Sequence, residues 1–318
     1  MEKPFRKEGA DLFSSVADCW LAWKQKSLKG SSIARYQSVL SLYLVPTFAN
    51  KPIIDISRQD VLNFVQDLQT DKTPERHGLS PSSASIVLAV LKNIFYYAEQ
   101  TLGLPVADLR GISVRKPYKP LRVFSRSEQQ RLTRYLLMRR DPTSAGIVLA
   151  LHTGLRIGEL CALRWADISF PERSLNVQHT MQRLPATGSS RMTAVMITPP
   201  KSPSSMRTIP LPESIVNMLR GLAERDTCFV LSGTEDYVEP RSLENRFKSA
   251  LRDCGIATAG FHICRHSFAT RCIELGFDVK SLSEILGHAS VNITMNRYVH
   301  PSMEFKRKNM DRLSELMR

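Results

Sequence analysis

Residues 261–300 read FHICRHSFATRCIELGFDVKSLSEILGHASVNITMNRYVH, and this stretch decides how the rest of the chain is read. His262 and Arg265 are three apart, so a helix shows both on one face. Phe268, Ala269, Cys272 and Ile273 give that helix an apolar side to bury. His262 and Arg265 then stand near its start, where unpaired backbone N–H groups suit an anion. Val279, Leu282, Ile285 and Leu286 mark a second helix that Gly287 stops, with His288 just past the stop. Tyr298 follows behind a short polar run. Each residue alone reads as structural, since a histidine at a helix end is usually satisfied by its neighbours and a tyrosine usually packs with its hydroxyl in water. Their order together asks for chemistry.

His-x-x-Arg, then Leu-Gly-His, then Asn-Arg-Tyr-Val-His closely resembles the C-terminal signature of the tyrosine recombinases, the phage-integrase family. The resemblance requires an upstream arginine after Thr-Gly and a lysine on a hairpin between the two boxes. Thr153-Gly154-Leu155-Arg156-Ile157-Gly158-Glu159-Leu160 looks like the first, with Glu159 one turn on and placed to pair with Arg156. Residues 199–211, PPKSPSSMRTIPL, resemble the second, with Ser202 where threonine is common after the lysine. The implied catalytic set is Arg156, Lys201, His262, Arg265, His288 and the nucleophile Tyr298.

That resemblance implies a mechanism with defined physical demands. Tyr298 attacks a scissile phosphate to give a 3′-phosphotyrosine and a 5′-hydroxyl, storing the bond energy so that no ATP or other cofactor is consumed. Arg156 and Arg265 hold charge on the nonbridging oxygens as permanently charged, fork-shaped donors. His262 is expected to accept or hold the tyrosine's proton, and Lys201 to protonate the leaving oxygen. His288 hydrogen-bonds a nonbridging oxygen and helps place Tyr298. No metal is needed, because the arginines do the work of a divalent cation. Arg297 reads as a DNA contact and His300 as structural.

Composition agrees with a polyanionic partner. The formal net charge is +14 and the isoelectric point near 9.7, which favours nucleic acid through phosphate attraction and counterion release; the resemblance implies that it is double-stranded DNA. A membrane is disfavoured: no apolar run of about eighteen residues exists. The opening residues MEKPFRKEGADLF lack the apolar core of a signal peptide, so a cytoplasmic, nucleoid-associated protein is expected. Cysteines 19, 161, 228, 254, 264 and 272 form no Cys-x-x-Cys pair and read as reduced thiols. His262, Cys264 and His266 do not make a metal site, since on a helix Cys264 points away from both histidines.

The expected fold is mainly α. Residues 1–10 form an N-terminal tail, and 11–104 a helical domain of four helices resembling the family's core-binding domain. Apolar stripes run through Phe13, Val16, Trp20 and Trp23; Ile33, Tyr36, Leu40 and Tyr43; Val61, Phe64, Val65 and Leu68; and Ile86, Val90, Ile94 and Tyr97. Ser57 with Asp60 and Ser80-Pro81 mark two of the starts. On the polar faces Arg35 and Lys92 are candidate DNA contacts. A basic, proline-containing linker, 105–124, adds Arg115, Lys116 and Lys119. Ser125 with Glu128 opens a catalytic domain, 125–300, that is mostly helical around one small antiparallel sheet near 175–181, 194–198 and 207–211. A tail helix, 301–318, carries Met310, Leu313 and Met317; in the family such tails dock onto neighbouring protomers of a synaptic homotetramer.

An inactive DNA-binding regulator of the same fold would have lost the Tyr, Arg or His, and none is lost. A type IB topoisomerase would lack the recombinase-like helical domain. Within the recombinases, a Xer-type dimer resolvase is similarly compact. The Thr270-Arg271-Cys272-Ile273-Glu274 run, the approach 292–298 and the longer strand region around 181–200 look more like mobile-element integrases, with no arm-binding domain expected ahead of the core-binding helices. An accessory DNA-bending or directionality protein is a possible partner.

Overall fold

The computed structural model describes residues 11–28, 30–70, 78–117, 121–185, 193–200, 202–299, 307, 310 and 311. Lys119, Lys201, His300 and nearly all of the expected tail helix lie outside the described residues. The chain forms two compact units, one of residues 1–119 and 184–193, the other of 120–183 and 194–318.

The first unit is built from α1 (Phe13–Gln25), α2 (Gly30–Val39), α3 (Val45–Phe48), α4 (Arg58–Thr70) and α5 (Pro81–Leu102). The expected second helix is thus two, α2 and α3 joined by a single wide turn, Leu40–Leu44. Local chemistry sets the ends. Asp60 donates its backbone N–H to Ser57 Oγ at 3.1 Å, and Ser57 returns its own N–H to the Asp60 carboxylate at 2.8 Å, the reciprocal cap read from the sequence. Ser80 caps α5, Pro81 fills its first position, and Gly103 closes it at φ 65°. The apolar faces meet around Phe13, Trp20, Leu44, Ile53, Leu91 and Ile94, all fully buried. Leu104, Leu109, Ile112 and Val114 are buried in the same cluster, so the chain continues to pack on this core for a further ten residues or so beyond α5.

The second unit opens with α6 (Arg126–Arg139), whose Ser125 and Glu128 form the expected capping box, and α7 (Pro142–Thr153). α7 is apolar on almost every side and buried nearly throughout; it packs against α6 and two later helices, which suits a central helix rather than a surface one. α8 (Ile157–Ala162) follows the Gly154 turn. Then come β1 (Ile168–Ser169), β2 (Ser174–Val177), β3 (Thr180–Pro185), β4 (Thr193–Thr198) and β5 (Arg207–Pro210).

Where the sequence suggested one small antiparallel sheet, the chain forms two. β1, β2 and β5 make a three-stranded antiparallel sheet in which Leu175 faces Ile168 on one side and Ile209 on the other. β3 and β4 pair separately, because exposed Gln178 and His179 interrupt the run after β2.

α9 (Glu213–Arg220), α10 (Pro240–Asp253), α11 (His262–Glu274), α12 (Val279–Leu286) and α13 (Val291–Tyr298) complete the described fold. In a domain expected to be mostly helical outside its sheet, residues 221–239 are irregular. Their buried run Cys228–Leu231 spends its backbone on the segment after α8, with Val230 N–H donating to Leu163 O at 3.0 Å and Trp165 N–H to Cys228 O at 3.1 Å. Among the described residues no helix is long and apolar enough to cross a membrane.

Gly154 closes α7 at φ +66°, and a Cβ there would lie 2.6 Å from Phe268 Cδ1 and 2.8 Å from Leu286 Cδ2. Gly154→Ala therefore combines a left-handed backbone strain of roughly 1–2 kcal/mol with overpacking of similar size. Denaturant unfolding should show a loss of about 2–4 kcal/mol; a loss below about 0.5 kcal/mol would contradict this packing.

Candidate active site

Two helix ends build the floor of the site. A helix leaves its last carbonyls unpaired, at the negative end of its dipole, and these are natural acceptors for guanidinium groups. At the end of α7, Gly154 O accepts from Arg265 Nη1 at 2.9 Å; at the end of α12, Leu286 O accepts from Arg265 Nη2 at 2.7 Å and Gly287 O from Arg156 Nη2 at 3.2 Å. Both ends are closed by glycines at φ +66°, which turn the chain sharply enough to aim these carbonyls inward. The two arginines, 109 residues apart in sequence, are brought to one place by this arrangement.

Arg156 is the N-cap residue of α8 and Glu159 its third helical residue, and the expected pair is present: Arg156 Nη1 donates to Glu159 Oε1 at 2.6 Å and Arg156 N–H to Oε2 at 3.0 Å. The same carboxylate is shared with a residue that the sequence reading named only as part of the hairpin. Arg207, at the start of β5, donates Nη2 to Glu159 Oε2 at 2.9 Å, Nε to Ile285 O at 2.5 Å and Nη1 to Ser205 O at 3.1 Å. Its side chain is 6% exposed. Burial opposes the charge on Glu159, but the hydrogen bonds and charge of Arg207, with the charge of Arg156, outweigh it and hold the carboxyl below its usual range. Little in the sequence separates Arg207 from a solvated hairpin arginine, because its partners come from α8 and α12.

Tyr298 ends α13 and is 6% exposed, packed in a small apolar cluster with Ala269, Cys272, Leu282 and Leu286. Its hydroxyl is 2.9 Å from His266 Nδ1. The sequence reading gave that place to His262. α13 instead brings the phenol to the second turn of α11, and His262, one turn earlier, lies edge-on to His266 with ring centroids 4.4 Å apart. The signal for His266 was available in its spacing of four from His262, which puts both on one helix face. His288 lies parallel to the Tyr298 ring at 6.4 Å, and Thr294, fully buried, fixes its Nδ1 at 2.8 Å.

The electrostatics follow from burial among cations. Burial, then the charges of Arg265, Arg156 and Arg297, pull His288 down to about 4; burial, then His262, Arg297 and Arg265, do the same to His266. His262 is also lowered to about 4, by desolvation and then by the charges of Arg265, Arg297 and Arg156. Burial raises the Tyr298 phenol while Arg265 and Arg297 pull against it. All three imidazoles are neutral at physiological pH in the free protein.

The remaining sequence candidates are dispersed. Arg297 is exposed beside Tyr298. Arg35, Arg115 and Lys116 are exposed in the first unit, while Lys92 is half-buried and donates its ammonium to Ile112 O at 2.6 Å, so it is engaged within its own core. Cys264 is fully buried in the core of the second unit, away from the histidine face. Among the described residues no group of three His, Cys, Asp or Glu side chains is placed to hold a metal.

A fold of this kind, with a buried tyrosine beside two converging arginines, can be compared with known proteins. Residues 124–304 match the phage integrase family, and residues 12–69 match the phage integrase N-terminal SAM-like domain. A XerC-like tyrosine recombinase of Caldanaerobacter subterraneus is 28% identical over 267 residues, covering 76% of this chain and 68% of that protein. The integrase of transposon Tn1549, solved in complex with transposon right-end DNA, superposes with a TM-score of 0.77 at 20% identity, covering 94% of this chain and 99% of that one. Lambda integrase, solved as a tetramer bound to a Holliday junction, gives 0.65 at 16% identity over 93% of this chain and 80% of its own. The chain belongs to the phage integrase family. Within it, the activity is that of a tyrosine site-specific recombinase, an enzyme that breaks and rejoins DNA strands.

The neutral histidines predict a pH dependence. As pH falls from about 6.5 to about 4, unfolded histidines take up protons while the folded ones, His288 among them, stay neutral, so stability falls through that window and the histidine contribution levels off below it. His288→Gln should make the loss of Tm between pH 7 and pH 4.5 smaller than in wild type. An equal or larger loss in the variant would contradict the assignment.

Proposed function

We propose that Tyr298 is the nucleophile and that Arg156, Arg265, His262, His288 and Lys201 form the rest of the catalytic set of an integrase that moves a mobile genetic element. The observation that carries this is the convergence of Arg156 and Arg265 on one place, backed by helix-end carbonyls, with the Tyr298 hydroxyl held beside them. Each guanidinium has five N–H donors, and the contacts to Glu159, Gly154, Leu286 and Gly287 take two from each, so donors remain to hold the nonbridging oxygens of a phosphodiester. With the Thr294 hydroxyl donating to His288 Nδ1, the ring proton sits on Nε2, which can then donate toward a phosphate oxygen. His262, exposed at the mouth, is placed to touch the DNA backbone or the same phosphate. Lys201 is assigned the protonation of the 5′ oxygen from its place in the hairpin motif before Ser202.

Double-stranded DNA is the substrate in this reading, supported by the charge of +14 and by the DNA in the Tn1549 integrase complex. Exposed Arg35, Arg115, Lys116 and Arg297, with Lys119, are the proposed backbone contacts. Synapsis in a homotetramer is carried over from the lambda integrase tetramer, with the 301–318 tail as its linking element and residues 11–104, 105–124 and 125–300 as clamp, linker and catalytic domain. Such an enzyme works in the cytoplasm on the nucleoid, and a DNA-bending or directionality protein completes the directional reaction. The similarity to a XerC-like recombinase favours dimer resolution as the second reading, and a solitary gene beside a chromosomal dimer-resolution site would decide for it.

Trapping on nicked suicide duplexes from a pool that includes element ends tests the nucleophile. Wild type should accumulate an adduct that survives denaturation, and Tyr298→Phe should bind with similar salt sensitivity and form none; an adduct with Tyr298→Phe would move the nucleophile elsewhere. Lys201→Ala should slow cleavage by roughly 10²-fold or more on ordinary phosphate, a general-acid magnitude. On a 5′-bridging phosphorothiolate, whose leaving group needs no proton, most of that loss should vanish. Equal slowing on both substrates would remove Lys201 from the role.

A further inference from the structure

We propose that His266 takes the proton of Tyr298 as the hydroxyl becomes the nucleophile, an inference that rests on the reading of Tyr298 as that nucleophile. His266 Nδ1 stands 2.9 Å from the Tyr298 hydroxyl, the contact a general base requires. The imidazole is 8% exposed and its orientation is fixed on both sides, by the edge of His262 at 4.4 Å and by the Tyr298 ring at 5.8 Å. With Nδ1 accepting from the phenol, the ring carries its own proton on Nε2, and the Nδ1 lone pair points at the proton to be moved.

The step balances within the site. The Tyr298 O–H bond breaks and its proton passes to His266 Nδ1; the Oη–P bond forms and the P–O5′ bond breaks; the 5′ oxygen leaves with a proton from the general acid. The reverse transfer restores the hydroxyl when the 5′ oxygen of the partner strand attacks the phosphotyrosine. No oxidant, metal or nucleotide enters.

The charged and titratable groups around His266 make this transfer conditional on DNA. His262 and Arg265 face it from α11, His288 from the turn after α12, and Arg297 and Tyr298 from α13. In the free protein burial, and after it the neighbouring charges of Arg297 and Arg265, keep the imidazole neutral and therefore able to accept. Proton transfer would then place an imidazolium beside arginines, which is unfavourable until a phosphodiester lies between Arg156 and Arg265 and cancels part of their field. His266 thus accepts a proton most readily when the substrate is in place, and Tyr298 stays an unreactive, buried phenol when it is not.

The test is single-turnover cleavage of the nicked duplex recovered by trapping, with Tyr298 in its natural form or replaced site-specifically by 2,3-difluorotyrosine, a phenol of lower pKa. His266→Asn keeps an acceptor oxygen near the Nδ1 position but cannot take up a proton; His266→Phe keeps the ring volume alone. Both should slow adduct formation by roughly 10²-fold or more with salt-dependent DNA binding retained. With difluorotyrosine at 298, most of the His266→Asn loss should be recovered, and the acid limb of the wild-type pH–rate profile should disappear in that variant. Cleavage by His266→Asn within a few-fold of wild type, or an equal loss with both phenols, overturns the proposal. Recovery by difluorotyrosine in His262→Asn instead of His266→Asn overturns it in favour of His262. An adduct formed by wild type and absent from Tyr298→Phe keeps the nucleophile assignment standing whichever way His266 falls, whereas no adduct from wild type overturns both.

Discussion

The site depends on the pairing of two guanidinium groups, buried Arg265 and half-buried Arg156, with the unpaired carbonyls of two helix ends. Arg265 is 2% exposed, and burial together with neighbouring cations lowers its pKa to about 9, still charged at neutrality. A buried charge of this kind is costly unless hydrogen bonds take the place of water. Gly154 O and Leu286 O do so at Nη1 and Nη2, which ties the end of α7 to the end of α12. Any substitution that untwists either glycine turn therefore acts on the arginines as well as on the packing.

A second layer of charge holds the first. Glu159 carries two hydrogen bonds from Arg156 and two from Arg207, and Arg207 in turn reaches Ile285 O and Ser205 O. One carboxylate thus links α8, the start of β5, the turn before it and the last turn of α12. Excess positive charge is left over; it adds to burial in keeping the nearby histidines neutral, and it favours the arrival of a phosphate. In the proposed reaction the positive field waits for its substrate, and the fixed donors need little rearrangement when the substrate arrives.

The motifs carry much of this in plain form. Helix starts at Ser57, Ser80 and Ser125 are legible because capping is local, and the Arg156–Glu159 pair because both residues lie in one turn. His266 and Arg207 were not assigned their partners, for the opposite reason: the contacts come from α13 and α8, far away in sequence, and the spacing of His266 from His262 shows a shared helix face but not which of the two meets Tyr298. The buried run at Cys228–Leu231 is irregular because its hydrogen bonds go to residues 163–165, distant in sequence. The split into two sheets likewise rests on a two-residue interruption that propensity does not register.

The most direct test of this account is a structure of the Tyr298→Phe variant bound to its cleavage site. The account predicts the scissile phosphate seated between Arg156 and Arg265, with the bonds to Gly154 O, Leu286 O and Gly287 O still in place and His266 within hydrogen-bond reach of where the hydroxyl would be. A phosphate bound elsewhere, or guanidiniums that must abandon those carbonyls to reach it, would contradict a site assembled before its substrate arrives.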